Sequence, residues 1–268
     1  MLARAMRARK RSIILKSERE IELMRVAAST TAEIVEELVE MIVPGITTWD
    51  LDQHAEEACL RRGVTPAFKG LYNFPGCLCV AVNEGVVHGI PSRKMVLRAG
   101  DIIGLDFGVV YKGWYGDHAR TVVVGTETDE ESAALIAATR ECLEKGIEEC
   151  QPGKRVRDIG KAVQRHAEAQ DYSVVRSFVG HGIGRKLHEE PQVYNYYDRL
   201  ARVPLRPGMV LCVEPMVNAG TAEVVMLDDD WTAVTADGRR SAHFEHTIAI
   251  TESGPEVLSI PGHGAGEV

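Results

Sequence analysis

Apolar positions along the chain change from a helical to a strand-like period twice, in the same order each time. Residues 17–42 are rich in Glu and Ala and carry Leu23, Val26, Ile34, Leu38 and Met41 at roughly helical spacing, which predicts a helix. Ser17 and Glu20 form a capping-box signature at its start. A second helix is predicted from a cap at Thr48 to about Arg62, ended by Gly63. Strands are predicted near 77–83, 101–110 and 114–124. The order then recurs, with helices near 129–150 and 156–170 and strands near 173–179, 209–217, 222–226, 231–234 and 243–250.

The recurrence has a constant offset. Leu97-Arg98-Ala99-Gly100 precedes Asp106 as Leu205-Arg206-Pro207-Gly208 precedes Glu214, with the same spacing inside each segment. Pro44-Gly45 precedes Asp50 as Pro152-Gly153 precedes Asp158, and the shift from the first copy to the second is the same again. Thr128 and Glu131 offer a capping box for the third helix, as Ser17 and Glu20 do for the first. Two repeats are too few for a solenoid but suffice for a pseudo-twofold domain with a site between its halves.

The strand patterns place chemistry on one face. Within 101–109, Ile103, Leu105, Phe107 and Val109 share a face that reads as core, while Gly104, Asp106 and Gly108 share an open one. A tight turn at Lys112-Gly113 pairs Asp106 with Ala119, so Asp117 falls on the same face, roughly 7–8 Å from Asp106 on the diagonal. Glu214 ends the apolar run Met209–Val213, and Glu245 opens another at Phe244–Ile250. A carboxylate there is costly without a partner, and Lys and Arg are scarce nearby. His181 lies in the glycine-rich Gly180-His181-Gly182-Ile183-Gly184, where backbone can approach closely. Solvated aspartates, buried salt bridges and a plain turn are the simpler readings of these positions. The sharper one brings Asp106, Asp117, His181, Glu214 and Glu245 together. Four carboxylates and an imidazole converging on one point require cations, so a divalent metal centre, with two ions, is expected. Neither His243 nor His246 is assigned as a ligand.

Composition narrows the setting. The chain has 268 residues, 45% of them hydrophobic, enough for a sizeable core. A net charge of -8 argues against DNA or general nucleic-acid binding. Six cysteines without a CxxC pair predict free, buried thiols in a reducing, cytoplasmic setting. No apolar run reaches membrane-spanning length. Residues 1–16 read as a basic arm (Arg4, Arg7, Arg9, Lys10, Arg11, Lys16) that is solvated or makes a weak contact to ribosomal RNA. Residues 17–257 read as one catalytic domain, with halves at about 17–124 and 125–257, and 258–268 as a flexible Gly-rich tail.

The fuller motifs carry a resemblance. Asn83-Glu84-Gly85-Val86-Val87-His88-Gly89-Ile90-Pro91 resembles the type I methionine aminopeptidases, metallopeptidases of the pita-bread fold. So do Trp114-Tyr115-Gly116-Asp117, Phe178 through Pro191, Glu214-Pro215-Met216 and Ala242 through Thr247. The likeness runs from about residue 17 to 257. It implies an α+β fold: a curved antiparallel sheet backed by helices, in two pseudo-twofold related halves. It implies removal of the initiator methionine from nascent polypeptides with a small second residue, by a monomer carrying two divalent ions (Co, Mn, Fe or Zn). By motif position Asp106, Asp117, His181, Glu214 and Glu245 would be metal ligands, with Asp117 and Glu245 bridging. Glu214 would shuttle a proton, His88 would contact the peptide, and His188 would help polarise the carbonyl. Phe74, Cys79 and Trp231 would surround the methionine side chain, whereas Leu71 and Leu187 stand where many relatives carry an aromatic residue. An Xaa-Pro aminopeptidase of the same fold, which carries a further N-terminal domain, and a non-catalytic binding relative are the alternatives. The first helix near residue 17 leaves little room for the extra domain, and the short stretch from His181 to Glu214 leaves little for the insertion of type II enzymes.

Overall fold

A computed structural model describes residues 13–266. Its helices are α1 (Glu18–Met41), α2 (Thr48–Arg61), α3 (Glu130–Glu148) and α4 (Val156–Glu168). The strands of the first half are β1 (Thr65–Pro66), β2 (Leu78–Val82), β3 (Gly85–Val87), β4 (Ile102–Tyr111) and β5 (Trp114–Val123). Those of the second are β6 (Ser173–Val174), β7 (Gly180–Gly182), β8 (Glu189–Val193), β9 (Val210–Val213) and β10 (Met216–Asn218), followed by β11 (Val224–Met226), β12 (Ala233–Thr235), β13 (Ser241–His243), β14 (Glu245–Thr251) and β15 (Gly254–Val257).

One antiparallel sheet runs β1-β4-β5-β14-β9-β7-β8, with β2 added on β4 and β15 on β14. Two three-stranded sheets, β13-β10-β6 and β11-β12-β3, flank it. The helices cover one face. Ile34, Val35, Leu38 and Leu51 of α1 and α2 pack on Leu105, Phe107 and Val109 of β4. In the other half Leu143, Val156 and Ile159 pack on Leu211, Val213 and Ile248. The alternation read from the sequence sets which face this is: odd residues of β4 point to the helices and Asp106 points away. At Gly116 the backbone of α1 lies against β5, since an added β-carbon would stand 2.3 Å from the Ala28 nitrogen. The α+β pita-bread architecture expected from the sequence is the one observed: a curled antiparallel sheet backed by four helices among the described residues.

The internal repeat survives as matched hydrogen bonds. Gly45 donates to the Leu97 carbonyl at 2.8 Å, and Gly153 to that of Leu205 at 3.1 Å. Leu97 donates to Ile46 at 2.9 Å, and Leu205 to Lys154 at 2.8 Å. Each bond has its counterpart at the offset of the sequence repeat, as do the isolated bridges Thr47–Val96 and Arg155–Pro204.

Several expectations are corrected. The second helix is capped by Thr47, not Thr48; its hydroxyl accepts from Asp50 N at 3.2 Å. The third is capped by Asp129, whose short carboxylate accepts from Ser132 N at 2.9 Å, while Glu131 pairs with Arg239. The strands predicted at 209–217 and 243–250 are each interrupted: at Glu214-Pro215 the chain leaves the large sheet for a small one, and at Phe244 it returns from that small sheet to the large one. The segment 173–179 is strand only at 173–174. The short strands β1, β7, β8 and β15 carry too few residues to show a period, so no sequence pattern announces them. Lys16, placed in the solvated arm, is 6% exposed and bonded to Glu189; the rest of the arm through Ser12 lies outside the described residues. The tail expected to be flexible runs along α1, where Gly262 and Gly264 donate to Glu33 and His263 to Ser29.

Candidate metal centre

The site is assembled by strand register. Lys112 and Gly113 both adopt positive φ (49° and 79°), the two-residue hairpin geometry that matches strand twist. Asp106 therefore faces Ala119, as the turn predicted, and Asp117 faces Gly108. Extending across neighbouring strands, Cys79 pairs with Asp106, Asp106 with Ala119 and Ala119 with Glu245. One rung thus carries Cys79, Asp106 and Glu245, and Glu214 comes directly after Val213, the last residue of β9, which pairs with His246 beside Glu245. Two rungs along, on the same face, lie Gly108 and Asp117, then Thr247 and Cys212. Where the β5–β14 ladder ends, the Thr247 hydroxyl continues it, accepting from Asp117 N at 3.1 Å and donating to Asp117 O at 2.8 Å. Asp117 is fixed through its backbone, and its carboxylate faces the site with Oδ1 accepting from His118 N at 3.1 Å.

All five expected ligands meet in one cavity of about 360 Å³ on the sheet face away from the helices. Ligand atoms of Asp117, His181, Glu245 and Cys212 lie within 4.8 Å of one another. His181 Nε2 stands 3.8 Å from Asp117 Oδ2 and 3.4 Å from Glu214 Oε1. Burial pushes Asp106 up to about 7. Burial first, then repulsion from neighbouring carboxylates, pushes Asp117, Glu214 and Glu245 well above the ordinary carboxylate range. The imidazole of His181 is pushed down to about 3, chiefly by burial, so it offers a neutral ring nitrogen.

The residues present fit divalent cations. Oε1 of Glu214 and Oε1 of Glu245 are buried and accept no hydrogen bond among the described residues. Among the described residues no lysine or arginine lines the cavity, which counts against the salt-bridge reading of Glu214 and Glu245. Carboxylate oxygens with one imidazole suit divalent first-row metals. Cys212, absent from the expected set, belongs to the cluster by position, but burial and Glu245 push its thiol well above the ordinary range. A protonated thiol is a poor ligand. Its position in an apolar strand run gave no signal of this.

The other expected residues line the same cavity. His88, in a left-handed conformation (φ 61°), meets Phe178 edge-on at 5.2 Å. Burial lowers it to about 4, so it is neutral near pH 7. His188 sits at the mouth, its ring 4.5 Å from that of His181 and nearly parallel to Tyr72 at 6.4 Å. Phe74 and Trp231 meet edge to face at 5.0 Å, beside Cys79, Leu71 and Leu187. Phe68, Tyr72 and Phe178 also line the cavity without having been expected to; the aromatics spaced through Phe68–Phe74 were the available signal for the first two. His243 is buried with its Nε2 3.9 Å from Glu214 Oε2 and no hydrogen bond. His246 points to the opposite face, bonded to the Ser259 hydroxyl at 2.8 Å.

Known proteins share this sequence and fold. Residues 22–252 match the model of metallopeptidase family M24. The methionine aminopeptidase of Clostridium perfringens is 51% identical over 92% of this chain and 99% of its own length. Methionine aminopeptidase A of Synechocystis is 49% identical over 93% and 98%. The crystal structure of the Thermotoga maritima methionine aminopeptidase superposes with a TM-score of 0.91 at 47% identity, covering 93% of this chain and 100% of that one. The prolidase of Pyrococcus horikoshii shares the fold alone: TM-score 0.75, 24% identity, with 93% of this chain covering 64% of that one. By motif, fold and sequence, the chain belongs to metallopeptidase family M24, among its type I methionine aminopeptidases.

Proposed function

We propose that this chain removes the initiator methionine from nascent polypeptides with a small second residue, using two divalent ions held by Asp106, Asp117, His181, Glu214 and Glu245. The single observation that carries the reading is the convergence of four carboxylates, Asp117 and Glu245 buried and Asp106 and Glu214 partly so, with His181 at the base of a cavity whose walls are aromatic and aliphatic. Bound ions would supply a water acidic enough to lose its proton near neutral pH and positive charge facing the scissile carbonyl. Asp117 and Glu245, from rungs two apart on the same face, would be shared between the ions. Glu214 keeps an unbonded Oε1 and a raised proton affinity, so it can take a proton from the attacking water and hand it to the leaving amine. Neutral His88 donates an N–H to the bound peptide, and His188 at the mouth donates to the carbonyl oxygen. Phe74, Cys79 and Trp231 enclose the thioether, for which aromatic faces and a soft sulfur neighbour are suited. Leu71 and Leu187 widen this pocket relative to an aromatic pair. A monomer in the cytoplasm, with its basic arm in weak contact with ribosomes, belongs to the same reading; six free, buried cysteines fit that setting.

The test is a peptide assay with added divalent metal. Met-Ala-Ser is expected to release methionine, and Ala-Pro-containing tripeptides are expected to stay intact. Preferred cleavage after Ala before Pro would transfer the chain to the Xaa-Pro reading. No cleavage with any of Co, Mn, Fe or Zn would sink the enzyme reading in favour of a binding relative.

A further inference from the structure

Lys16 stands just before α1, far in sequence from the second half, yet its side chain is only 2% exposed. Its Nζ lies 2.8 Å from Oε2 of Glu189, which is 8% exposed. Its backbone N–H donates to the Gly208 carbonyl at 2.7 Å. The segment is thereby fixed to two stretches of the second half that border the site: the loop between β7 and β8, and the approach to β9 and Glu214. The fit is tight. A β-carbon on Gly184 would stand 2.6 Å from Lys16 Cε, and one on Gly208 would stand 2.9 Å from the Lys16 carbonyl oxygen.

Glu189 does two things at once. Its Oε1 accepts from Arg185 N at 2.8 Å and Lys186 N at 3.2 Å, which closes the loop 185–189. Its Oε2 ties that closed loop to Lys16. His188 is the residue beside it, and the His188 imidazole has no hydrogen-bond partner among the described residues; it is placed by ring contacts with His181 and Tyr72 and by the backbone that carries it. The same loop is held from the other side, where Tyr115 N donates to Gly184 O at 2.9 Å and the Arg185 guanidinium covers Trp114 at 4.0 Å. Those contacts hold the start of the loop, at Gly184 and Arg185. At its end the backbone of Glu189 pairs with Gly182 in the sheet, and Lys16 holds the Glu189 side chain that closes the turn next to His188.

We infer that Lys16 is a positioning residue for the reaction: through Glu189 it fixes the turn that presents His188 to the scissile carbonyl. The inference rests on the aminopeptidase reading of His188. A buried ion pair is costly to desolvate, and removing one partner strands the other, so the direct anchor it provides is the physical return. A displaced histidine forfeits stabilisation made in the transition state and leaves ground-state binding in the apolar pocket intact.

The experiment uses the full chain with bound metal and three variants: Lys16→Met, Glu189→Gln and the double variant, which leaves no stranded charge. Lys16→Met is expected to lower kcat on Met-Ala-Ser at least about tenfold with KM within about threefold, at unchanged metal content. Amide hydrogen exchange of Arg185 and Lys186 is expected to accelerate while that of the β4–β5 hairpin does not. The double variant is expected to recover melting temperature lost in either single variant but not kcat. Wild-type kcat in Lys16→Met or in the double variant, or a loss confined to KM, overturns the positioning role and leaves the aminopeptidase reading intact. A wild-type protein inactive on the peptide overturns that reading itself.

Discussion

Asp117→Asn is expected to lower kcat/KM on Met-Ala-Ser by at least about a thousandfold, equivalent to about 4 kcal/mol of transition-state stabilisation, and at the same time to raise the melting temperature of the metal-free protein. The two effects have one cause. The Asp117 carboxylate is buried beside Glu245 and Asp106, and its charged form is disfavoured by burial first and then by those neighbours. Removing the charge relieves that repulsion when no cation is present. In the proposed site it also removes one of the oxygens that would hold the cations. The backbone ties of Asp117 to Thr247 do not use its carboxylate, so the strand stays in register. A side chain kept for structure would lose stability and activity together. Thermal melts of the chelated variant beside peptide kinetics of the metal-loaded one distinguish the two roles, and a lowered melting temperature in the chelated variant would count against the metal role of Asp117.

The second large effect concerns metal and pH. Asp106, lifted to about 7, and the more strongly lifted Asp117, Glu214 and Glu245 hold protons in the metal-free folded state that the unfolded chain, with ordinary carboxylates, has released. Their folded values lie above their unfolded ones, so the metal-free fold loses stability through these groups as pH rises through about 4 to 7 and beyond. Buried His88 and His243, lowered to about 4 and about 3, act in the opposite sense as pH falls below the ordinary histidine range. They are neutral with or without metal above pH 6, so the difference between loaded and chelated protein isolates the carboxylates. Cations displace the protons, which makes binding tighter at higher pH. Each proton displaced is worth about 1.4 kcal/mol per pH unit, or about 3 °C in a protein of this size. The rise in melting temperature on adding metal is therefore expected to be at least about 6 °C larger at pH 8 than at pH 6. A metal-induced rise that does not vary with pH would show that the cations bind elsewhere.

The parts of this site that could be read in the sequence are those with a period or a repeat. Alternation along β4 and the two-residue turn at Lys112-Gly113 were enough to set Asp106 opposite Ala119 and to bring Asp117 to the same face. The constant offset between the halves put Glu214 in the place of Asp106 from the sequence alone, and it reappears bond by bond at Gly45 and Gly153. What stayed hidden lacks such a pattern. An apolar run does not reveal where it will leave one sheet for another, so the breaks at Glu214-Pro215 and Phe244 leave no mark in the periodicity. Cys212 looks like any core residue, because only the register against Thr247 brings it beneath the cluster. Lys16 looks like one more charge in a basic arm, since its partner Glu189 is distant in sequence. The glycine-rich tail looks loose because its bonds to Ser29, Thr30 and Glu33 are made by backbone N–H groups that every sequence possesses.

The central claim is that the cluster of Asp106, Asp117, His181, Glu214 and Glu245 holds the ions on which methionine release depends. The most direct measurement titrates Co, Mn, Fe or Zn into chelated protein and follows bound metal and Met-Ala-Ser cleavage in the same samples. The account predicts no cleavage without metal, activity that rises with the first equivalents bound, and saturation at no more than two per chain. Cleavage in the metal-free protein, or stoichiometric metal binding that brings no cleavage, would contradict it.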